Sequence, residues 1–338
     1  MNTTRPSALP RRALTAAVAA AACLALPLAA LAQGSSSTNG WPNKPIRVVV
    51  PYVPGGPMDY LGRALAQKLQ PVFGQPLVLD NRAGAGGAIG SEFVAKSAPD
   101  GYTMLLTSSS LATLPTIMKN AGYDTLKDFA PITMVADSVG FILIANKNAP
   151  FKSVKELVAF EKSKPGSVNY GSAGNGNVMH FAAESFNSAA GTKMTHVPYK
   201  GSAQAINDLI GGQIQVSFVP PNVAIPFIKA GTVNALGIAA PKRWDVLPDV
   251  PTIDESGLKG FKYGPYYGLW FPAGTPRPIV NRMRAEVVKA LADPEVAKGF
   301  AEQGFVPVGS SPSEFTKTNE KEVEFNRQLV ARIGLKPE

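Results

Sequence analysis

A chain of 338 residues, 45% of them hydrophobic, is long enough to bury its core as two lobes of ordinary domain size. Its formal charge of +9 falls to +6 without the three arginines of the N-terminal leader, and the remaining basic residues stand as singles and pairs with no aromatic interleaving, which argues against a nucleic-acid partner. The single cysteine, Cys23, also lies in the leader, so the mature chain has no disulfide, no thiolate nucleophile and no cysteine metal site.

In chain order, Arg5, Arg11 and Arg12 precede an uncharged apolar stretch over 13–31 that closes on Ala30-Leu31-Ala32. This is the pattern of a secretory signal peptide, with cleavage expected after Ala32 and a periplasmic destination. Residues 33–40 read as a flexible Ser/Gly tether, and structure is expected from Trp41. The β-branched run 46–50 predicts a strand buried on both faces, followed by a Pro/Gly turn and a helix opening at Asp59. A strand at 77–79, a helix at 88–96 and a strand at 103–107 continue the alternation. A second set follows, with strands at 141–145, 168–170, 195–197, 216–219 and 233–238. Between them lie helices at 153–164, 178–189, 203–210 and 225–230. A strand at 269–271 precedes helices at 276–291, 294–303 and 312–332, with Thr275 and Ser311 as expected N-caps before proline.

This grammar predicts an α/β protein of two lobes, each a mostly parallel sheet flanked by helices. The first lobe has too few helices of its own, so the closing helices are expected to return to it. The lobes are then 41–140 with 266–338, and 141–265, joined by two crossovers near Gly140 and Pro265, with a ligand cleft at the hinge.

Three glycine-rich loops each follow a strand and precede a helix, the edge where parallel sheets bind ligands. They are Pro54-Gly55-Gly56-Pro57, Gly84-Ala85-Gly86-Gly87 and Gly171-Ser172-Ala173-Gly174-Asn175-Gly176. Curled backbone aims several N–H groups at one spot, and a helix N-terminus adds positive potential, so an anion is the natural guest. Neither GxG completes a dinucleotide fingerprint, because Ile89 and Met179 stand where the third glycine belongs, and no phosphate-binding P-loop occurs. No cofactor is expected. Thr107 and Ser108, Ser202 and Asn222 follow other strands and could hydrogen-bond a carboxylate or simply cap helices. Asp59 reads as a cap that stiffens the loop before it rather than as a ligand contact. Tyr52, Tyr266 and Tyr267 suit a ring or shape the hinge. With only His180 and His196, a histidine-rich metal site is excluded, and no nucleophile–base set assembles, so an enzyme is not expected. His180 is placed to anchor the third loop, and His196 reads as structural.

Several stretches together resemble the receptors of tripartite tricarboxylate transporters, the Bug family. They are Trp41-Pro-Asn-Lys-Pro-Ile-Arg47, Pro54-Gly-Gly-Pro-Met-Asp59, Asn81-Arg-Ala-Gly-Ala-Gly-Gly87, Pro99-Asp-Gly-Tyr-Thr103, the third glycine loop with His180, Val197-Pro-Tyr-Lys-Gly201 and Leu247-Pro-Asp-Val-Pro-Thr252. The resemblance covers nearly all of the mature chain. It implies a type II-like periplasmic-binding-protein fold that closes on a small carboxylate, a monomer serving integral membrane transporter subunits or, as an alternative, a membrane sensor kinase. It also implies that the loop backbone at Pro54, Gly55, Gly56 and Met58 and at Ala83, Gly84, Ala85, Gly86 and Gly87, through its N–H groups, holds one ligand carboxylate. Ser172, Ala173, Gly174, Asn175, Gly176 and Ser202 would face the ligand's other end. Met58 departs from the family, where a small hydroxyl residue is common, and Ser172 stands where threonine is frequent.

Overall fold

The computed structural model describes residues 1, 2 and 40–334, and from Pro42 onward the chain forms one compact unit. The expected signal peptide, its cleavage point and all but the last residue of the tether lie outside the described residues.

The first sheet begins with β1 (Ile46–Val50), whose apolar run is buried at every position except Arg47. It continues through α1 (Pro57–Phe73), β2 (Leu77–Asn81), a 3-10 turn at Ala85–Gly87, α2 (Ala88–Ala95), β3 (Thr103–Ser108), α3 (Ser110–Ile117) and β4 (Phe129–Ser138). The chain then crosses into β5 (Ile142–Asn146), α4 (Val154–Ser163), β6 (Asn169–Ser172), α5 (Val178–Ala190), β7 (Thr195–Pro198), α6 (Ser202–Ile210), β8 (Val216–Val219), α7 (Pro221–Lys229) and β9 (Val233–Ile238). It returns as β10 (Tyr266–Pro272), α8 (Arg277–Leu291), α9 (Pro294–Glu302), β11 (Phe305–Pro307) and α10 (Pro312–Ile333).

These strands make two sheets, ordered β11-β4-β10-β3-β1-β2 and β7-β6-β8-β5-β9. The architecture is α/β and two-lobed, as the alternation predicts. The sheets are mixed rather than mostly parallel. β1 runs parallel to β2 and β3, but β10 is antiparallel to β3 and β4, and β5 is antiparallel to β8 and β9. The reason is the crossovers: a strand that returns from the other lobe enters the sheet from the hinge end and must run against its neighbours.

The two crossing segments lie side by side at that hinge. Ser138 N–H donates to the Pro265 carbonyl (3.1 Å), Phe141 N–H to that of Tyr263 (3.0 Å) and Ala239 N–H to that of Phe141 (2.8 Å). The closing helices pack on the first sheet, α8 and α10 both against β4. α10 also reaches the second lobe, where Leu329 and Val330 share an apolar cluster with Phe181 of α5 and Ile117 of α3.

Local signals explain most element ends. Ser153 accepts the Glu156 N–H, although the Glu156 carboxylate reaches back to Lys152 N–H, one residue before the cap. Ser311 and Glu314 form the full reciprocal capping box. Thr275 does not cap. Its hydroxyl donates to the Pro272 carbonyl and Pro276 takes the cap position of α8.

Candidate functional site

Where the lobes meet, Tyr52, Val53, Pro54, Gly56, Pro57, Met58 and Ser108 of the first face Phe141, Ala173, Asn177, Val178, Met179, Gly201, Ser202, Ala203 and Pro220 of the second, with Pro265 and Tyr267 at the hinge. The lobes are nearly shut on it: the cavity they leave is about 30 Å³, room for about one water. None of its lining side chains carries a charge.

Two helices from opposite lobes begin here without a side-chain cap. α1 starts after Gly56 and α6 after Gly201, both in extended backbone. A Cβ on Gly56 would lie 3.8 Å from Ser202 Oγ, so the two starts face each other across the lobe boundary. The first N–H groups of a helix have no partner within it and its N-terminus carries partial positive charge, so paired starts make a cradle for an anion.

Behind this cradle the lobes are tied by a buried polar network. Tyr52 Oη donates to the Gly86 carbonyl (2.8 Å) and accepts from Asn177 Nδ2 (2.9 Å). Ser110 Oγ accepts from Asn177 Nδ2 (3.2 Å) and from Val178 N–H (3.1 Å). Burial pushes the Tyr52 hydroxyl up from its ordinary value, so it stays a donor. Tyr267 also lines the pocket, and its hydroxyl is buried without a hydrogen-bond partner.

The sequence candidates divide. Tyr52, Pro54, Gly56, Met58, Ser108, Ala173 and Ser202 are on the pocket wall. Gly84, Ala85, Gly86, Gly87, Gly174 and Asn175 line a separate, wider groove of about 650 Å³ with Lys200 and Gln204. All four residues of the second loop have positive φ, including Ala85 at 46°, which turns it over the Tyr52 hydroxyl. Gly86 and Gly174 press together, and a Cβ on Gly174 would sit 2.8 Å from Gly86 Cα.

Asp59 lies off the wall. Its carboxylate pairs with Arg63 through two bonds (3.0 and 3.1 Å) and accepts weakly from Gly55 N–H (3.4 Å), but it is not the cap expected of it, since Gly56 holds that position without a side-chain bond. Ala83, Thr107, Gly176 and Asn222 line neither cavity. Thr107 is buried in β3, and the Asn222 side-chain oxygen is buried without a partner.

Ser172 and His180 are also behind the wall, in an arrangement that sequence spacing did not reveal. His180 and His196 stack with ring centroids 4.0 Å apart, and Tyr170 covers His196 at 4.9 Å. Gly176 N–H donates to His180 Nδ1 (3.2 Å), and Ser172 Oγ lies 2.6 Å from His196 Nε2 while accepting from Gly174 N–H (3.1 Å). Burial lowers His180 to about 4, and burial with the neighbouring His180 lowers His196 to about 3. The neutral pair therefore pins the third loop from behind, so His196 shares the anchoring expected of His180 alone. Asn177 and Phe141 were not anticipated. Asn177 could have been, because an Asn immediately before an apolar-periodic helix is a strong N-cap signal, and it does accept from Met179 N–H.

Residues 61–335 match the family model described as "Tripartite tricarboxylate transporter family receptor". The Bordetella pertussis protein BugT is 36% identical over 302 residues, covering 89% of this chain and 92% of BugT. Among solved structures, the periplasmic binding protein BugD is 34% identical with a TM-score of 0.84, over 88% of this chain and 100% of BugD. A Rhodopseudomonas palustris protein solved with adipate is 31% identical with a TM-score of 0.85, again over 88% of this chain and 100% of its own.

Proposed function

Because the chain belongs to the family of tripartite tricarboxylate transporter receptors, we propose that it is an exported solute receptor which binds a small carboxylate between its lobes and delivers it to integral membrane transporter subunits. The leader of residues 1–32 directs it to the periplasm, where it acts as a monomer. Lobe 1 comprises 41–140 with 266–338 and lobe 2 comprises 141–265. Rotation about the paired crossovers opens the cleft for loading and release.

The observation that carries this reading is the meeting of two uncapped helix starts, one from each lobe, in a single uncharged pocket. An anion held by dipoles of both lobes favours the closed arrangement, because opening removes half of its donors. Recognition without a buried ion pair also suits a carrier. An Arg–carboxylate pair buried in the cleft would be costly to break at release, at about 3–5 kcal/mol.

The one pairing that could argue for a hydrolase, Ser172 with His196, is a poor catalyst. Ser172 is fully buried and off the pocket wall, and an imidazole titrating near 3 is a weak base at neutral pH. A thermal-shift screen of the mature protein against small carboxylic acids tests the receptor reading. At least one acid raises the melting temperature and its primary amide does not. A ligand at 100 times its Kd stabilises by about 2.7 kcal/mol, well within detection. Shifts from neutral sugars alone would refute the proposal.

A further inference from the structure

The pocket and the outer groove lie along one lobe boundary, and their electrostatics differ. The pocket wall carries no charge, whereas Lys200 is, among the described residues, the one charged side chain on the groove wall. Resting on the receptor reading, we propose that Lys200 is the capture residue. It draws an incoming carboxylate to the parted lobes and sets the rate of association, without holding the anion once they shut.

The groove, about 650 Å³, runs along the seam between Ala85 and Met118 of the first lobe and Gly174 and Lys200 of the second. The backbone on either side of Lys200 is fastened. Tyr199 N–H donates to the Ser172 carbonyl (2.9 Å) and Lys200 N–H to Gln204 Oε1 (3.0 Å). The side chain is not. Lys200 is exposed, and its ammonium joins no ion pair among the described residues. Asp208, the next acid along the chain, accepts from Tyr199 Oη instead (2.8 Å). An unneutralised cation in a cleft with apolar walls, here Ile117, Met118 and Pro198, raises the local concentration of anions.

In the shut arrangement this charge is set apart from the cradle. The next two residues, Gly201 and Ser202, are on the pocket wall, and a Cβ on Gly201 would lie 2.5 Å from Val53 Cγ2 of the first lobe. Gly174 meets Gly86 with similar closeness. Both contacts cross the lobe boundary, and the cavity behind them holds about one water, so a ligand enters only while the lobes are apart. A charge on the rim then governs how fast the anion arrives and how steeply that rate depends on salt. The uncharged cradle governs how long it stays.

Stopped-flow fluorescence of the mature protein reads the two rates separately. The probe is whichever of adipate, malate, benzoate, hexanoate, glutamate and citrate raises the melting temperature most. At about 10 mM salt, where charges act over about 30 Å, Lys200→Gln lowers the association rate constant about threefold and Lys200→Glu about tenfold. At about 1 M salt both variants associate as the wild type does. Lys200→Arg keeps the wild-type rate, and dissociation stays within about twofold in every variant. An unchanged association rate in Lys200→Gln, or a loss that persists at high salt, overturns the proposal. So does a change confined to dissociation, which would put the ammonium on the bound anion. If none of these acids shifts the melting temperature, the receptor reading fails together with the proposal.

Discussion

Tyr52 carries more of the site than its place after a strand suggests. Its hydroxyl donates within its own lobe and accepts from Asn177 of the other, so one buried atom registers whether the lobes are together. Tyr52→Phe keeps the ring and leaves both the Gly86 carbonyl and the Asn177 amide short of a partner. An unmet buried group costs about 1–3 kcal/mol, so ligand affinity should fall about tenfold or more in calorimetry. Unchanged affinity would mean that this network does not report on closure. The histidine pair gives a second prediction at this scale. Both imidazoles titrate in the folded protein below the unfolded value near 6.5, so folding favours their neutral forms. Their stabilisation is complete above that value and is lost as pH falls from there through about 4 and about 3. Of the groups around them, Gly176 N–H, Ser172 and the rings of Tyr170 and Phe181 are neutral at these pH values. Glu184, beyond the Tyr170 hydroxyl, works the other way, since burial pushes its carboxyl up. The melting temperature should therefore drop on acidification from pH 7 to 4, and less steeply in His196→Asn. Parallel slopes for the two proteins would contradict the assignment. These roles were half legible. The types and loops of Tyr52, Ser172 and His180 drew notice, but Ser172 meets His196 only because β6 lies beside β7, a register that no spacing in the sequence encodes.

At the scale of elements, closure depends on backbone against backbone. Gly174 has φ 120° and faces Gly86 so closely that a Cβ would lie 2.8 Å from its Cα. Gly174→Ala therefore pays twice, in a left-handed conformation and in a wedge between the lobes. Affinity should fall by at least tenfold while the far-UV spectrum is preserved, because no helix or strand contains this residue. Wild-type affinity would show that the loops need not touch. Most elements could be read from periodicity and caps, and those that could not have identifiable reasons. β4 went unanticipated because Pro131 interrupts it, and proline argues against a strand paired on both sides. It is accommodated at a register shift beside Trp270 of β10. α3 hides in a Ser/Thr run and contains Pro115, while the three residues of β11 are too few to show any period. The glycine loops were read as strand ends that share one site, whereas the turn at Ala85–Gly87 places the second loop on the outer groove instead of the inter-lobe pocket.

Across the whole molecule, the two crossovers expected near Gly140 and Pro265 are present and hydrogen-bonded to each other, and the closing helices return to the first sheet. The contact of α10 with Phe181 adds a third link between lobes that an amphipathic pattern alone could not assign to a partner. Beside these links and the buried Tyr52–Asn177 network, the inter-lobe pocket and the groove at Lys200 are rival seats for the ligand. A crystal structure of the mature protein with a bound carboxylate decides between them. Carboxylate oxygens are expected within hydrogen-bonding distance of the Met58 amide of α1 and the first amides of α6 at Ser202, with both lobes in contact. A carboxylate seated instead against residues 84–87 and Lys200, in the outer groove, would contradict this.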